Sequence, residues 1–200
     1  MRSFILAAGL VAFLGALPAL AQAPQGTPVN VRGTIVKLSG QTLTVKMRDG
    51  KTADIALAPD AGVRALKKAK LSDIKDGDYI ASSSVQGKDG KLHALEIHFL
   101  APSTPEGQRP WDLRKDSVMT NAHVTGVAKV TGGTDLTVTF KGQSTDIVVG
   151  PKTIIVGPAD ASMADLKRGK AVFLFANKAA DGTISARVAF VEKNGVKPPL

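Results

Sequence analysis

Apolar and polar residues alternate along most of the chain, a pattern typical of β-strands with one buried and one exposed face. In the clearest case, Leu43, Val45 and Met47 alternate with Thr44 and Lys46. A period of two residues places one set of side chains in a core and the other set in water. The chain is therefore predicted to be mainly β.

The same β-rich pattern occurs twice. The stretch GTIVKLSGQTLTVKMRDGKTADIAL (33–57) is followed 93 residues later by GVAKVTGGTDLTVTFKGQSTDIVV. In this alignment Val31 and Gly33 match Val124 and Gly126, and beyond the RDGK turn, where the second copy is one residue shorter, the offset becomes 92. A single length change placed in a turn is typical of duplicated domains, so we predict an internal repeat.

Turn and cap signals divide each copy into strands and one short helix. The dipeptides Asp49-Gly50, Asp89-Gly90 and Asp181-Gly182 indicate hairpin turns, because glycine adopts the positive φ that tight turns require. Between the third and fourth strands, SMADLKRG (162–169) predicts a helix with a Ser–Asp capping box that ends at its glycine. The first copy has KLSDIKDG (70–77) at the corresponding place.

Three strands, a short helix and two strands within roughly 70 residues is the order found in the five-stranded OB-fold barrel. We therefore predict two tandem OB-like β-barrels, each with one short helix between its third and fourth strands. Another small β-barrel, or an open sheet with the same number of strands, is the alternative. Barrels of this size are only marginally stable alone, so side-by-side packing or dimerisation is expected to stabilise them.

The N-terminal residues predict a secretory signal peptide. Arg2 is followed by the apolar stretch Phe4–Leu17 and then by small residues. Cleavage after Ala21 satisfies the preference for small residues at the cut, and it predicts a periplasmic or secreted protein. An uncleaved membrane anchor is the alternative, but the apolar run is short for a spanning helix. Beyond Ala23 no apolar stretch is long enough to span a bilayer, so the processed chain is not expected to be an integral membrane protein.

These signals give the predicted domain boundaries: a signal peptide (1–21), an N-terminal extension (22–29), OB-like domain 1 (30–101), a proline-rich linker (102–122), OB-like domain 2 (123–194) and a tail (195–200). The linker holds Trp111, which is the chain's one tryptophan. We predict that Trp111 and Leu113 fill the seam between the barrels as an inter-domain anchor. The alternative is that Trp111 is an aromatic side chain that faces a ligand.

The motifs GTIVKLSGQTLTVKMRDGKT, LSDIKDGD and KDGKLHALEI resemble those of exported bacterial β-domains of unknown function, and both copies share the resemblance. The linker PEGQRPWDL and the ending EKNGVKPP also resemble a narrower group of rhizobial-type exported proteins that often carry the label metal ABC transporter permease. A permease needs several spanning helices, which this chain lacks. The resemblance therefore implies at most a soluble accessory of a metal uptake system, and it implies no catalytic residue.

Composition narrows the function classes. The chain has a net charge of +9 and no cysteine, so packed cores must stabilise it and anionic envelope surfaces or envelope proteins are its expected partners. Aromatic residues make up only 4% of the chain. Sites for single-stranded nucleic acid need stacking aromatics as well as charge, so no nucleic-acid partner is predicted.

The densest positive run is RALKKAK (64–70), which contributes four cations to a predicted anion-binding surface. Such a run is either a solvated face or a docking site for anionic headgroups or glycans. The four cations are Arg64, Lys67, Lys68 and Lys70.

The stretch HALEIH offers His93, Glu96 and His98 as ligands for a divalent metal, since imidazole and carboxylate suit zinc or nickel. The two histidines are five residues apart, so in a regular strand they point to opposite faces. A β-bulge would bring them to one face, and the shift of the apolar pattern between Ala94 and Leu95 indicates one. The alternative is a solvated strand edge without metal.

No Ser–His–acid set and no phosphate-binding glycine loop is recognisable, so the sequence predicts no enzyme. The function predicted is non-catalytic binding by an exported protein with a basic surface and no cofactor. The alternative is a soluble periplasmic accessory of a metal ABC transport system that binds a divalent metal through His93, Glu96 and His98.

Overall fold

The computed structural model describes residues 26–131 and 133–199, so the predicted signal peptide (1–21) lies outside the described residues. The described chain is mainly β, which confirms the predicted class. Its strands are β1 (Thr27–Ser39), β2 (Thr42–Met47), β3 (Thr52–Lys68), β4 (Tyr79–Gln86), β5 (Leu92–Phe99), β6 (Gly107–Trp111), β7 (Ser117–Val130), β8 (Gly133–Phe140), β9 (Gln143–Val149), β10 (Ile154–Asp160), β11 (Ala171–Lys178) and β12 (Ile184–Val191).

Five strands close into a barrel, which we call the first barrel. β1 pairs with β2 and β2 with β3, β3 pairs in parallel with β12, and β11 joins β12 back to β1. Closure leaves no open edge within the barrel and encloses one apolar core. That core contains Val31, Ile35, Leu43, Val45, Ile55, Leu57, Leu166, Val172, Leu174, Ala176, Ala186, Ala189 and Val191.

The remaining strand pairs form a second closed circuit. β4 pairs with β5 and β7, β7 with β8, β8 with β9, and β9 returns to β5 through a short parallel pairing. β6 adds to β7 outside the circuit. The second circuit has its own apolar cluster, formed by Ile74, Ile80, Ile97, Ala122, Val124, Leu136, Val138, Phe140, Ile147 and Val149.

Each circuit takes strands from both predicted domains. The first three strands of the chain meet the last two, β11 and β12, whereas β4 and β5 meet β7 to β9. The prediction that residues 30–101 and 123–194 each close into a separate barrel is therefore not confirmed. We call this sharing of strands between the two predicted domains the exchange of strands. The length of β3 accounts for it, because its 17 residues carry the chain beyond the first barrel before β4 begins.

The two circuits are joined through β10, which pairs in parallel with β5 of the second circuit and antiparallel with β3 of the first. This antiparallel ribbon is centred on Leu66 opposite Pro158, with Arg64 opposite Asp160 and Lys68 opposite Val156. Leu66 and Pro158 are 92 residues apart, which is the offset of the predicted repeat beyond its length change. An approximate twofold axis therefore passes between β3 and β10.

Single 3-10 turns, Leu71–Asp73 and Met163–Asp165, stand where the sequence predicted short helices, which are not confirmed. The predicted capping contact is present, since the Ser162 backbone N–H donates to Asp165 Oδ2 at 2.9 Å. Each turn ends after three residues, where the backbone of the next residue, Ile74 or Leu166, leaves helical geometry and its side chain is buried in an apolar core.

The first strands of the two copies align differently from the sequence prediction. The Gly169 N–H donates to the carbonyl of Ile35, and the Gly77 N–H donates to that of Val124, so Ile35 and Val124 are equivalent. Val124 follows Ile35 by 89 residues, not 93, and the four extra residues lie in the β7–β8 hairpin. Matching Val31 and Gly33 with Val124 and Gly126 was wrong by four positions.

Both chain ends of the described part pack onto the fold. Thr27–Val29, inside the predicted extension 22–29, belong to β1 and pair with β11. In the predicted tail 195–200, Val196 bridges to Lys193 and packs against the apolar cluster around Phe173. The described structure therefore extends beyond the two predicted domains at both ends.

Candidate ligand-binding cleft

A cleft of about 840 Å³ lies at the junction of the two circuits. Its size falls within the roughly 300–1,000 Å³ of small-molecule sites. Strands of both predicted domains line it, together with residues of the linker. Most of the lining side chains are apolar, and three are cationic. The cationic ones are Arg64, Lys67 and Arg109.

The predicted basic run divides between the cleft and the outer surface. All four of its cations are exposed, on the last part of β3 or just after it. Arg64 and Lys67 line the cleft, whereas Lys68 and Lys70 do not. The cleft gains a third cation from Arg109, which is on β6 of the linker. Among the described residues no ion pair joins Arg64, Lys67 or Arg109 to a carboxylate.

One wall of the cleft is aromatic. The Trp111 ring lies 6.2 Å from the ring of Phe175, and both line the cleft together with Phe190. Phe175 keeps 41% of its surface exposed, so part of this aromatic wall is accessible from solvent. The Arg109 guanidinium lies 5.3 Å from the centre of the Trp111 ring, within range of a cation–π interaction. Trp111 therefore contacts the first barrel and also faces the cleft, so both roles considered for it are compatible with its position.

Asp112 fastens the linker to the first barrel. Arg32 on β1 donates two hydrogen bonds of 2.8 Å to the Asp112 carboxylate, and Asn30 Nδ2 donates a third. Burial by itself would raise the pKa of Asp112, but these hydrogen bonds and the Arg32 charge outweigh burial and hold the pKa below its ordinary value. Leu113, the other predicted anchor, is half-buried.

The segment before β6 is held at its other end by two side chains. The Tyr79 hydroxyl donates to the carbonyl of Thr104 at 2.8 Å, and Asn121 Nδ2 donates to that of Pro105 at 3.0 Å. Burial, and then the nearby Glu106 carboxylate, raises the pKa of Tyr79 above its ordinary value, so the hydroxyl stays a neutral donor. Because Thr104 lines the cleft, these contacts fix part of its wall.

The wall opposite the aromatic side chains contains buried polar groups. His98 lines the cleft, and its Nδ1 lies 3.3 Å from Oε1 of the fully buried Glu96. The distance suits an ion pair, but the alignment does not make a hydrogen bond, and both Glu96 oxygens lack a hydrogen-bond partner. Ser83, the cross-strand neighbour of Glu96, also has a buried hydroxyl without a partner.

The predicted metal ligands are not brought together. The predicted bulge is present, because Ser83 pairs with Glu96 and Ser84 with Ala94, which leaves Leu95 unpaired. His93 nevertheless contacts Asp89 at 3.0 Å and not Glu96 or His98. In the part of the chain that the structure describes, no group of three histidines or acidic residues is placed to hold a metal.

Sequence reasoning missed Arg109, Phe175 and Phe190 as neighbours of the basic run. Phe175 and Phe190 were not among the candidate site residues predicted from the sequence, and nothing in the sequence placed Arg109 beside Arg64. The exchange of strands brings them together, since β11 and β12 close the first barrel next to β3 and the linker. A signal was available at 173 and 175, where phenylalanines alternate with other apolar residues, so that both faces of the strand are apolar. A strand of one barrel buries only one face in the barrel core, so an apolar second face indicates a further contact.

No described helix is long and apolar enough to cross a bilayer. Comparison of the chain with protein-family models, with curated proteins and with solved structures gives no match. The geometry of the cleft is therefore what bears on function.

Proposed function

We propose that this is a non-catalytic, exported binding protein that recognises an anionic partner of the cell envelope. The observation that supports the proposal is the grouping of Arg64, Lys67 and Arg109 around one apolar cleft without ion pairs among the described residues. Exposed cations that form no ion pairs create a positive potential, which attracts anionic headgroups or glycans. Periplasmic or secreted localisation is part of the proposal and depends on the predicted signal peptide.

We also propose that the chain arose by duplication of an OB-like module and that the two copies exchanged their last two strands. Matching hydrogen bonds support this, since Thr44 donates to Asp54 and Thr137 donates to Asp146 at positions related by the predicted offsets. The bulges agree as well, because Leu95 of β5 and Arg187 of β12 are both skipped in pairing and are 92 residues apart. The exchange creates the junction where the cleft lies.

Vesicle binding tests the proposed function. The purified protein is mixed with phosphatidylglycerol vesicles and with neutral phosphatidylcholine vesicles, and the bound fraction is measured by sedimentation at low and high salt. We expect binding to the anionic vesicles alone, weakened by salt because screening reduces surface electrostatics. Each cation near the surface contributes about 1 kcal/mol, so Arg64→Glu with Lys67→Glu is expected to lower the affinity more than tenfold. Equal binding to both vesicle types would contradict the proposal.

The second candidate function is a divalent-metal accessory. Glu96 and His98 favour it, because they are adjacent, buried and short of hydrogen-bond partners. Titration with zinc and nickel tests it, with His98→Ala and His93→Ala as variants. Submicromolar binding that His98→Ala abolishes would support the accessory function, and His93→Ala serves as the control, because His93 contacts Asp89 and not Glu96 or His98. Binding that is absent in the unmodified protein would exclude this site.

A further inference from the structure

We infer that the cleft is a discrete site for one single-chain amphipathic anion, with an alkyl chain and a carboxylate or phosphate head. This inference rests on the proposed function and names the class of ligand. The cleft combines an aromatic wall, formed by Trp111, Phe175 and Phe190, with cations at Arg64, Lys67 and Arg109. An apolar chain removes the aromatic surface from water, while the head is neutralised by the cations.

Comparison of the two copies indicates why the cleft is open on the β4 side. Phe173 of β11 corresponds to Ala81 of β4, and both are buried. Ala81 lines the cleft, and with a phenylalanine at that position the aromatic side chain would occupy part of its volume. Likewise Phe190 corresponds to His98, which places an aromatic ring on one wall and an imidazole on the other.

The charges of the cleft indicate how the ligand is oriented. Glu96 is buried beside His98, and an anionic head next to that carboxylate would be repelled. Arg109 lies against Trp111, and Arg64 and Lys67 lie on β3. The head is therefore placed at the β3 and β6 side, with the chain against the aromatic wall where the rings of Phe175 and Phe190 contact each other. Asp160 also lines the cleft, opposite Arg64 in the ribbon, so the head is expected nearer to Lys67 and Arg109.

Intrinsic fluorescence tests the inference, because Trp111 is the chain's one tryptophan. Dodecyl phosphate is titrated as a monomer, with inorganic phosphate as the head alone and dodecyltrimethylammonium as a chain with the opposite charge. We expect saturable one-to-one binding of dodecyl phosphate with a change of Trp111 emission. Equal binding of inorganic phosphate, equal binding of the cationic amphiphile, or no change of emission on saturation would overturn the inference.

Two matched pairs of charge reversals separate the cleft from the general basic surface. Arg64→Glu with Lys67→Glu changes cleft residues, whereas Lys68→Glu with Lys70→Glu makes the same charge change outside the cleft. Binding of dodecyl phosphate is expected to fall about 10- to 30-fold with the first pair and less than about threefold with the second. Equal losses in both pairs would show that the ligand uses the surface and not the cleft.

Plugging the cleft distinguishes failure of this inference from failure of the proposed function. Ala81→Phe fills the space from one side, and Ala159→Leu fills it from β10 should Ala81→Phe not fold. Either plug is expected to abolish binding of dodecyl phosphate and to leave binding to phosphatidylglycerol vesicles within about twofold, since the cations remain. Retained binding of dodecyl phosphate in a folded plug variant overturns the cleft site, whereas absent vesicle binding in the unmodified protein overturns the proposed function.

Discussion

Arg32 and Asp112, which are 80 residues apart in the chain, form a paired ionic contact in which both Nη atoms donate to the carboxylate at 2.8 Å. The Arg32 side chain is 8% exposed, and its guanidinium also lies 4.8 Å from the centre of the Phe173 ring. The contact joins the linker to the first barrel beside the aromatic wall. It therefore stabilises the fold and orders the cleft.

Replacing Arg32 is expected to destabilise the protein clearly. Arg32→Ala removes two charge-assisted hydrogen bonds and the contact with the aromatic rings, so we expect the free energy of unfolding to fall by about 2 kcal/mol. Urea denaturation measures the loss. Arg187→Ala is the control, because Arg187 also pairs with an aspartate, Asp60, but through one Nη atom and with both side chains exposed. The control is expected to lose less than about 1 kcal/mol, and equal losses would contradict the role given to Arg32.

The contact between Arg32 and Asp112 is also expected to make the stability of the fold decrease at low pH. The folded pKa of Asp112 lies below its unfolded value, so its stabilisation is complete above the unfolded pKa and is lost as the pH falls through the folded pKa. Because the Asp112 side chain is 53% exposed, we expect a contribution of only about 0.5–1 kcal/mol. Melting temperatures of the unmodified protein and of Asp112→Asn are compared from pH 7 to below about pH 3. The difference between them should shrink as the pH falls below about 4, and a constant difference would exclude Asp112 as its source.

The exchange of strands can be tested by hydrogen exchange. Leu174 of β11 is fully buried in the first barrel, so Leu174→Ala leaves a cavity that costs about 2–5 kcal/mol. The exchange rates of backbone amides in β1, β2 and β3 are expected to rise more than those in β8 and β9, although β8 and β9 are nearer in sequence. Faster exchange confined to β7–β9 would mean that the second half closes on itself.

The strands could be predicted from sequence, but their partners could not. Alternation at Leu43 and Val45 shows which face is buried, and both residues are in the core. A period of two says nothing about which strand lies alongside, so exchanged and unexchanged barrels share one pattern. For the same reason the first-strand alignment was wrong by four residues, since a shift by an even number keeps every side chain on its face.

Some residues of the candidate cleft could be predicted from the sequence, but their proximity to one another could not. The basic run and Trp111 were identified from composition and spacing, but they are brought together by β3, which extends beyond the first barrel, and by β6, which pairs with β7. Three prolines in the linker predicted irregular structure, yet Pro110 lies in β6. Proline is tolerated there because β6 pairs on one side only among the described strands.

Gly33 is expected to be intolerant of any side chain. A Cβ atom at this position would lie 2.2 Å from the carbonyl oxygen of Lys46 and 2.7 Å from a Val45 methyl group. Because a backbone carbonyl in the barrel cannot move away cheaply, Gly33→Ala is expected to cost about 1–3 kcal/mol in thermal or urea denaturation. Gly126→Ala is the control, since its nearest neighbour would be Thr137 at 3.4 Å. We expect a cost below about 1 kcal/mol there, and a larger cost at Gly126 than at Gly33 would contradict the barrel geometry.

The buried pair of Glu96 and His98 is expected to lower the stability of the fold. The residues at the corresponding positions of the second copy provide substitutions that test this. The corresponding positions hold Val188 and Phe190. A buried ion pair often stabilises less than apolar side chains of similar volume, because removing both charges from water costs more than their attraction returns. Glu96→Val with His98→Phe is therefore expected to raise the free energy of unfolding by about 1–4 kcal/mol in urea. His98→Ala alone leaves the Glu96 carboxylate buried without a partner and is expected to lower the free energy by about 3–5 kcal/mol. A double variant less stable than the unmodified protein would show that the pair stabilises the fold, and the absence of hydrogen bonds to Glu96 would then need another explanation.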